Sequence, residues 1–415
     1  MTTIKATGAP RNGRAFLIVF LALLSAFGPF VTDFYLPTLP EQTADFGAPA
    51  SLVQLGLSAT MWGLAAGQLW IGPLSDVRGR RVPLAASLAV FSLATAGAVF
   101  APDIETFIAM RFLEGLGASG AVVMSRSIAA DLCTGRELAS LMAVVGGIQG
   151  IAPVTAPMIG ALIAEAAGWR EIFMLLLAIG VALTAVTIFV FRESLAKGAA
   201  RPKGSVAASF AVLMKDPLFA AMAAQQFFAS GILFGHISAS PFVFQTSFGL
   251  SPSAYGLVFG LLALSITAGA MASSRFASPA AAMEKGAFGT LLGSILAAAA
   301  FWAHLPVWAV IGALVVLLAS LGLTLPSAMT FALTLHRERA GAAAAILGSI
   351  AFLGGGLVAP LTALADPRLC VSVIFLASSL MLVVIALITR RALAQARARH
   401  AGETIRFADD ASHKL

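Results

Sequence analysis

The chain has 415 residues, of which 59% are hydrophobic and only 11% charged, and it carries a formal net charge of +7. Soluble globular domains carry about 25% charged residues, so a water-soluble enzyme or scaffold is excluded and the composition reads as an all-α membrane protein. The positive balance is a topology signal, and no nucleic-acid partner is expected from it.

The first apolar stretch, 15–39, reads AFLIVFLALLSAFGPFVTDFYLPTL. It is too long for the apolar core of a signal peptide (about 7–15 residues) and no small-residue cleavage site follows, so it reads as a retained first helix. Asp33 lies inside it. A carboxylate within a span costs about 2.5–3.5 kcal/mol on insertion scales, so it is expected to face a bundle interior or a watery cavity as a proton or cation site. Further spans of about 20–25 residues follow at 50–74, 82–101, 105–131, 138–164, 170–191, 217–244, 252–275, 284–303, 307–331, 339–364 and 369–390. Together they make a twelve-helix chain.

All but four of the 26 Lys and Arg residues fall at the N-terminus, in alternate loops or in the C-terminal tail. The exceptions are Arg111 and Arg126 within a span, and Arg170 and Arg368 on the opposite side. By the positive-inside rule both termini are cytoplasmic. The polar stretch RESLAKGAARPKGSVAASFAVLMKD separates six spans from six. The expected division is an N-terminal six-helix bundle over 1–191, a cytoplasmic linker loop over 192–216, a C-terminal six-helix bundle over 217–391 and a disordered cytoplasmic tail over 392–415. A weak internal repeat, offset by about 202 residues, aligns Phe46-Gly47 with Phe248-Gly249 and Gly67 with Gly269. Parallel six-helix repeats with a site between them at the midplane are a transporter plan. The scattered histidines and the two cysteines show no metal spacing, and no Walker A segment is present, so no cofactor and no enzymatic activity are expected.

The loop after the second span reads GPLSDVRGRRVPL. It resembles the cytoplasmic loop signature of the major facilitator superfamily, G-x-x-x-D-R-x-G-R-R, with Val77 standing where the pattern has Arg. Gly72 and Gly79 permit a tight connection, Asp76 can accept charge-assisted bonds, and Arg80 and Arg81 anchor the cytoplasmic face. IAMRFLEGLGAS is similar to the superfamily's fourth-helix motif, with Arg111 in its basic position. GGIQGIAPVTAPMIGA is similar to the fifth-helix motif of antiporters, carried by Gly150, Pro153, Pro157 and Gly160, with Ala156 and Ala161 replacing glycines of that pattern. TDFYLPTLP, SRSIAADL, SASPFVFQTSFGLSPSAYGLVF and AGAAAAILG together resemble the Bcr/CflA group. The resemblance implies the major facilitator fold, twelve transmembrane helices in two pseudo-symmetric six-helix halves. It also implies a monomer in the bacterial inner membrane that exports bicyclomycin, phenicols or sulfonamides in exchange for protons.

Asp33 and Arg111 are expected at similar depth and as partners, with Glu114 on the same helical face as Arg111. Glu114 is either a second protonation site or a simple counter-charge. Phe30, Tyr35, Met61, Met124, Gln149, Gln225, Gln226, Phe234 and His236 are candidates to line a drug site. Arg126 and Asp131 are expected to join Asp76, Arg80 and Arg81 in a cytoplasmic charge network, against the plainer reading of a membrane-surface cluster. A major facilitator exporter or importer of a sugar or amino acid remains the alternative.

Overall fold

The computed structural model describes residues 12–133, 135–195, 206–336 and 339–412, excluding the side chains of 135–136, 139–140, 143–144, 146–150, 206–209, 340 and 396–412. Its long helices are α1 (Arg14–Asp33), α2 (Ala50–Arg78), α3 (Arg81–Val99), α4 (Ile104–Leu132), α5 (Gly135–Ala167) and α6 (Trp169–Phe189), followed by α7 (Pro217–Pro241), α8 (Pro252–Ala272), α9 (Pro279–Trp302), α10 (Val307–Leu335), α11 (Ala340–Val358) and α12 (Pro367–Ser412). Ten stretches among the described residues are long and apolar enough to cross a membrane. The other two expected spans fall on α2, diluted by Ser, Thr and Gln, and on α5. Two six-helix halves result, α1–α6 and α7–α12.

Short punctuation sets the helix starts. Asp216-Pro217, Ser251-Pro252 and Ser278-Pro279 each place a capping side chain before a proline at the first helical position. The caps accept from the amides of Leu218 at 2.9 Å, Ala254 at 3.2 Å and Ala281 at 3.2 Å. Such a cap satisfies one orphan N–H, and proline has no N–H to orphan. In the first half Asp103 caps α4 through the Thr106 amide at 2.7 Å.

Bare backbone permits the closest crossings. A Cβ on Gly63 or Gly115 would overlap a carbonyl of the facing helix, Phe112 for one and Thr60 for the other, so α2 and α4 touch backbone to backbone. The same device joins α8 to α10, where Gly269 faces the Ala319 carbonyl and Gly322 the Ile266 carbonyl. Small residues let helices approach this closely in lipid, where apolar contact with a neighbouring helix is little better than contact with acyl chains.

Two expectations about the polar segments are corrected. The linker contains a helix, Val206–Met214. The last helix runs on to Ser412, through most of the tail expected to be disordered, because ALAQARAR supplies strong helix formers that continue the span.

Candidate functional site

The face that carries the start of α1 is called here the terminal face, and the opposite one the distal face. Asp33 ends α1 near the distal face and is 4% exposed. The Thr32 hydroxyl donates to its Oδ1 at 2.6 Å. Pro29 lies one turn back in α1, and a 3-10 turn, Leu36–Thr38, follows with Pro37 in it. The helix therefore breaks just after the carboxylate.

Arg111 and Glu114 are fully buried on α4. The expected Asp33–Arg111 ion pair is not made; Arg111 Nη1 instead bonds Glu114, one turn along its own helix. An i,i+3 partner needs no second helix to be positioned, and this one cancels the buried charge directly. Arg111 reaches α1 through Nη2, which donates to the Val31 carbonyl at 2.7 Å. Its guanidinium lies 4.3 Å from the Tyr35 ring centroid and 5.3 Å from that of Phe173, in cation–π contact with two rings that also touch each other at 5.5 Å. Thr95 on α3 donates to Glu114 Oε1 at 3.3 Å. Thr95 and Phe173 carry no pattern of their own in the sequence, and only the fold brings them to the pair.

The remaining lining candidates separate. Met61, Met124 and Gln225 are fully buried. Both amide atoms of Gln225, and Gln226 Oε1, have no hydrogen-bond partner. Phe30 is half-buried against Phe34 at 5.1 Å, and Phe234 packs on Phe352 at 5.9 Å. His236 lies among α7, α9, α10 and α12, stacked on Phe259 at 5.8 Å and lining a cavity of about 10 Å³ with Ser240, Phe301 and Phe375. It sits inside the second half. Gln149 and Gly150 lie outside the residues whose side chains are described.

The antiporter-like segment of α5 packs into both halves. Gly160 abuts the Phe34 carbonyl of the first half. From the second half, Gly256 has room for a Cβ only 3.3 Å from the Pro157 carbonyl and 3.2 Å from Met158 Cα. Pro153 stands one turn earlier in the same helix.

At the terminal face Arg80, 6% exposed, is the hub. It reaches Asp131 at 2.8 Å, Asp76 at 2.5 Å and the Ser75 hydroxyl at 2.6 Å. Gly79, at φ +85°, ends α2 where a Cβ would meet the Glu193 carboxylate. That carboxylate accepts from the backbone amides of Arg80 at 2.8 Å and Arg81 at 3.1 Å. Ser194 donates to Asp131 at 3.0 Å. Glu193 and Ser194 were not singled out from the sequence, since no spacing links them to residue 80. Two expected members differ. Arg81 donates to the Thr187 and Ile188 carbonyls at the end of α6, and Arg126 is exposed with no hydrogen bond or ion pair among the described residues. Arg80 sits closer to both carboxylates and satisfies them first. Gly72 lies one helical turn before Asp76, where an added Cβ would come 3.6 Å from Val123.

Polar contacts between the halves lie elsewhere. Gln54, fully buried on α2, donates to the Ser238 carbonyl on α7 at 3.0 Å and accepts from the Thr362 hydroxyl at 3.0 Å. Gln245 donates to the Pro37 carbonyl at 2.8 Å, and the Ser253 amide donates to Glu165 at 2.8 Å. Ser349 donates to the Ala65 carbonyl at 3.2 Å. Among the described residues, every hydrogen bond between the halves lies in the distal part or at mid-depth. The halves are latched distally, while the terminal-face network stays within the first half and the segment that follows it.

The sequence profile of the Major Facilitator Superfamily matches residues 15–360. The chain is a member of that superfamily. It is 34% identical over 362 residues to the uncharacterized MFS-type transporter YdgK of Bacillus subtilis, covering 86% of this chain and 89% of that one. It is 27% identical over 261 residues to a bicyclomycin resistance protein homolog of Haemophilus influenzae (62% and 66% covered). Multidrug resistance protein MdtL of Salmonella typhi is 27% identical over 250 residues (60% and 63% covered). Among solved structures it resembles a D-xylose-proton symporter, with TM-score 0.71, 16% identity and coverage of 89% and 97%. A bacterial homolog of the lysosomal transporter Spinster gives TM-score 0.71 and 15% identity, covering 94% and 96%. At such identities the likeness is one of fold.

Proposed function

We propose that this major facilitator protein is a proton-coupled exporter of amphipathic drugs, of the Bcr/CflA kind, acting by alternating access between its halves. The observation that carries the reading is Asp33: a buried carboxylate in a span, beside the break that ends α1, with one hydrogen-bond donor and no ion-pair partner among the described residues. Such a group changes charge at modest cost, whereas Arg111 and Glu114 neutralise each other. The likeness to bicyclomycin and multidrug resistance proteins supports drugs as cargo.

In this reading the chain is a monomer in the inner membrane of a bacterium, with the terminal face cytoplasmic. The distal latch then makes the structure inward-facing. Asp33 takes a proton from outside and releases it inside as the drug binds, and Arg111 with Glu114 holds the α1–α4 seam that shapes the site. The Arg80, Asp76 and Asp131 cluster braces the cytoplasmic end of the first half, and Phe30, Tyr35, Gln226 and Phe234 contribute to the binding surface.

An efflux-deficient bacterium expressing the chain tests this with chloramphenicol, florfenicol and bicyclomycin. Accumulation should fall for at least one drug and recover on adding an uncoupler. Unchanged accumulation with the protein inserted supports a second reading, a metabolite carrier, which the partnerless amide of Gln225 favours because it suits a polar solute.

A further inference from the structure

We propose that Tyr255 of α8 is the second half's partner for Asp33: a positioning residue whose hydroxyl donates to the ionised carboxylate during the cycle, so that proton occupancy is felt by both halves.

The two residues flank the same turn of α5. Gly160 meets Phe34, the neighbour of Asp33, while Gly256, the neighbour of Tyr255, has room for a Cβ only 3.4 Å from Ala161. The Leu36–Thr38 turn that follows Asp33 packs against α7 and α8, and Gln245 binds its Pro37 carbonyl. Tyr255 is fully buried and its hydroxyl has one partner, Ser240 Oγ at 3.0 Å.

A hydroxyl both donates and accepts. Ser240 donates to the Ile237 carbonyl at 3.2 Å; when Tyr255 turns its own proton to Asp33, Ser240 can turn to the Tyr255 oxygen instead, exchanging one neutral bond for a charge-assisted one. Hydrogen bonds to an ionised acceptor are roughly twice as strong as neutral ones. Ionised Asp33 therefore draws α8 toward α1, and protonation releases it. Other titratable and charged groups bear on this spot: Arg111 and Glu114 on α4, Glu165 on α5, which accepts from the Ser253 amide at 2.8 Å, Tyr35 after α1, and His236 on α7, which shares the small cavity with Ser240. Arg111 and Glu114 satisfy each other, and His236 stacks on Phe259, which leaves Tyr255 as the donor available from the second half.

The inference rests on Asp33 being the proton site. Infrared difference titration of the full chain in lipid, with protons as the only ligand, tests both and separates them. A carboxylic-acid band that titrates in the wild type and is absent in Asp33→Asn establishes the site; its absence from the wild type overturns the proton-site reading and this inference with it. With the band present, Tyr255→Phe should raise the pH at which it is half-lost by about one unit, the effect of losing one charge-assisted hydrogen bond. An unmoved midpoint overturns the role of Tyr255 alone. Ser240→Ala keeps the phenol and frees it, so it should lower that midpoint or leave it in place. A rise of about one unit would also overturn the proposal, and this variant decides the matter if Tyr255→Phe fails to fold.

Discussion

After α1 the chain reverses at Gly47, with φ +58°, and after α7 it reverses at Gly249, with φ +69°. Gly67 brings α2 onto α4, and Gly269, its counterpart in the repeat, brings α8 onto α10. The scaffold is therefore used twice, but the buried chemistry is not. The spans of the first half enclose Asp33, Arg111 and Glu114, whereas the described buried polar residues of the second half are Gln, His, Ser and Thr, with no Asp, Glu, Lys or Arg. Close backbone crossings constrain shape and recur in both copies. A buried charge is costly wherever it sits, so one copy suffices if the other can sense it through neutral groups such as Tyr255 and Gln54.

The largest effect should come from removing the asymmetry. Asp33→Asn is expected to abolish uncoupler-sensitive export with unchanged membrane abundance, and retained active efflux would show that coupling lies elsewhere. Arg111→Leu should come next, since it leaves Glu114 buried without its counter-charge. Breaking a buried pair costs about 3–5 kcal/mol, which should lower thermal stability in detergent. Arg111→Leu with Glu114→Leu should recover most of that stability but not transport; a double variant as unstable as the single would mean that the pair organises the fold.

The shared scaffold gives a paired test. Gly115→Val and Gly269→Val each drive a side chain into a facing carbonyl, and overpacking of this kind costs about 1–3 kcal/mol or more. Both should reduce folded protein, and tolerance in the second half alone would show that its crossing is the looser one. Gln54→Leu should act on equilibrium rather than folding. Gln54 makes two hydrogen bonds between the halves, each worth about 0.5–1.5 kcal/mol, so distally open molecules should increase about five- to a hundredfold, read from distances between spin labels on exposed Ala44 and Thr246. The smallest change is expected at Arg170→Ala, which removes a surface pair with Asp45 whose side chains are 39% and 40% exposed. Such pairs contribute about 0–1 kcal/mol.

Much of the candidate site was legible in the sequence because charge inside an apolar run is conspicuous: Asp33, Arg111 and Glu114 need no alignment to be noticed. Partner choice was not. Equal depth suggested Asp33 with Arg111, but depth along a helix says nothing of azimuth, and the residue one turn away took the guanidinium. The same holds for Arg126, which is near Asp131 in the chain but loses it to Arg80. The contacts of Gln54, Ser238, Thr362 and Tyr255 have no counterpart in the sequence pattern, because a single neutral polar residue in a span reads as ordinary packing.

The sequence by itself determined the class, the twelve spans, the repeat and the position of the buried charges, since these follow from hydropathy, helix length and the cost of a charge in lipid. Tertiary structure alone decided which groups meet, and that the halves are latched distally. Those depend on helix rotation and on contacts between segments hundreds of residues apart, such as Gln54 with Thr362, which no local pattern encodes.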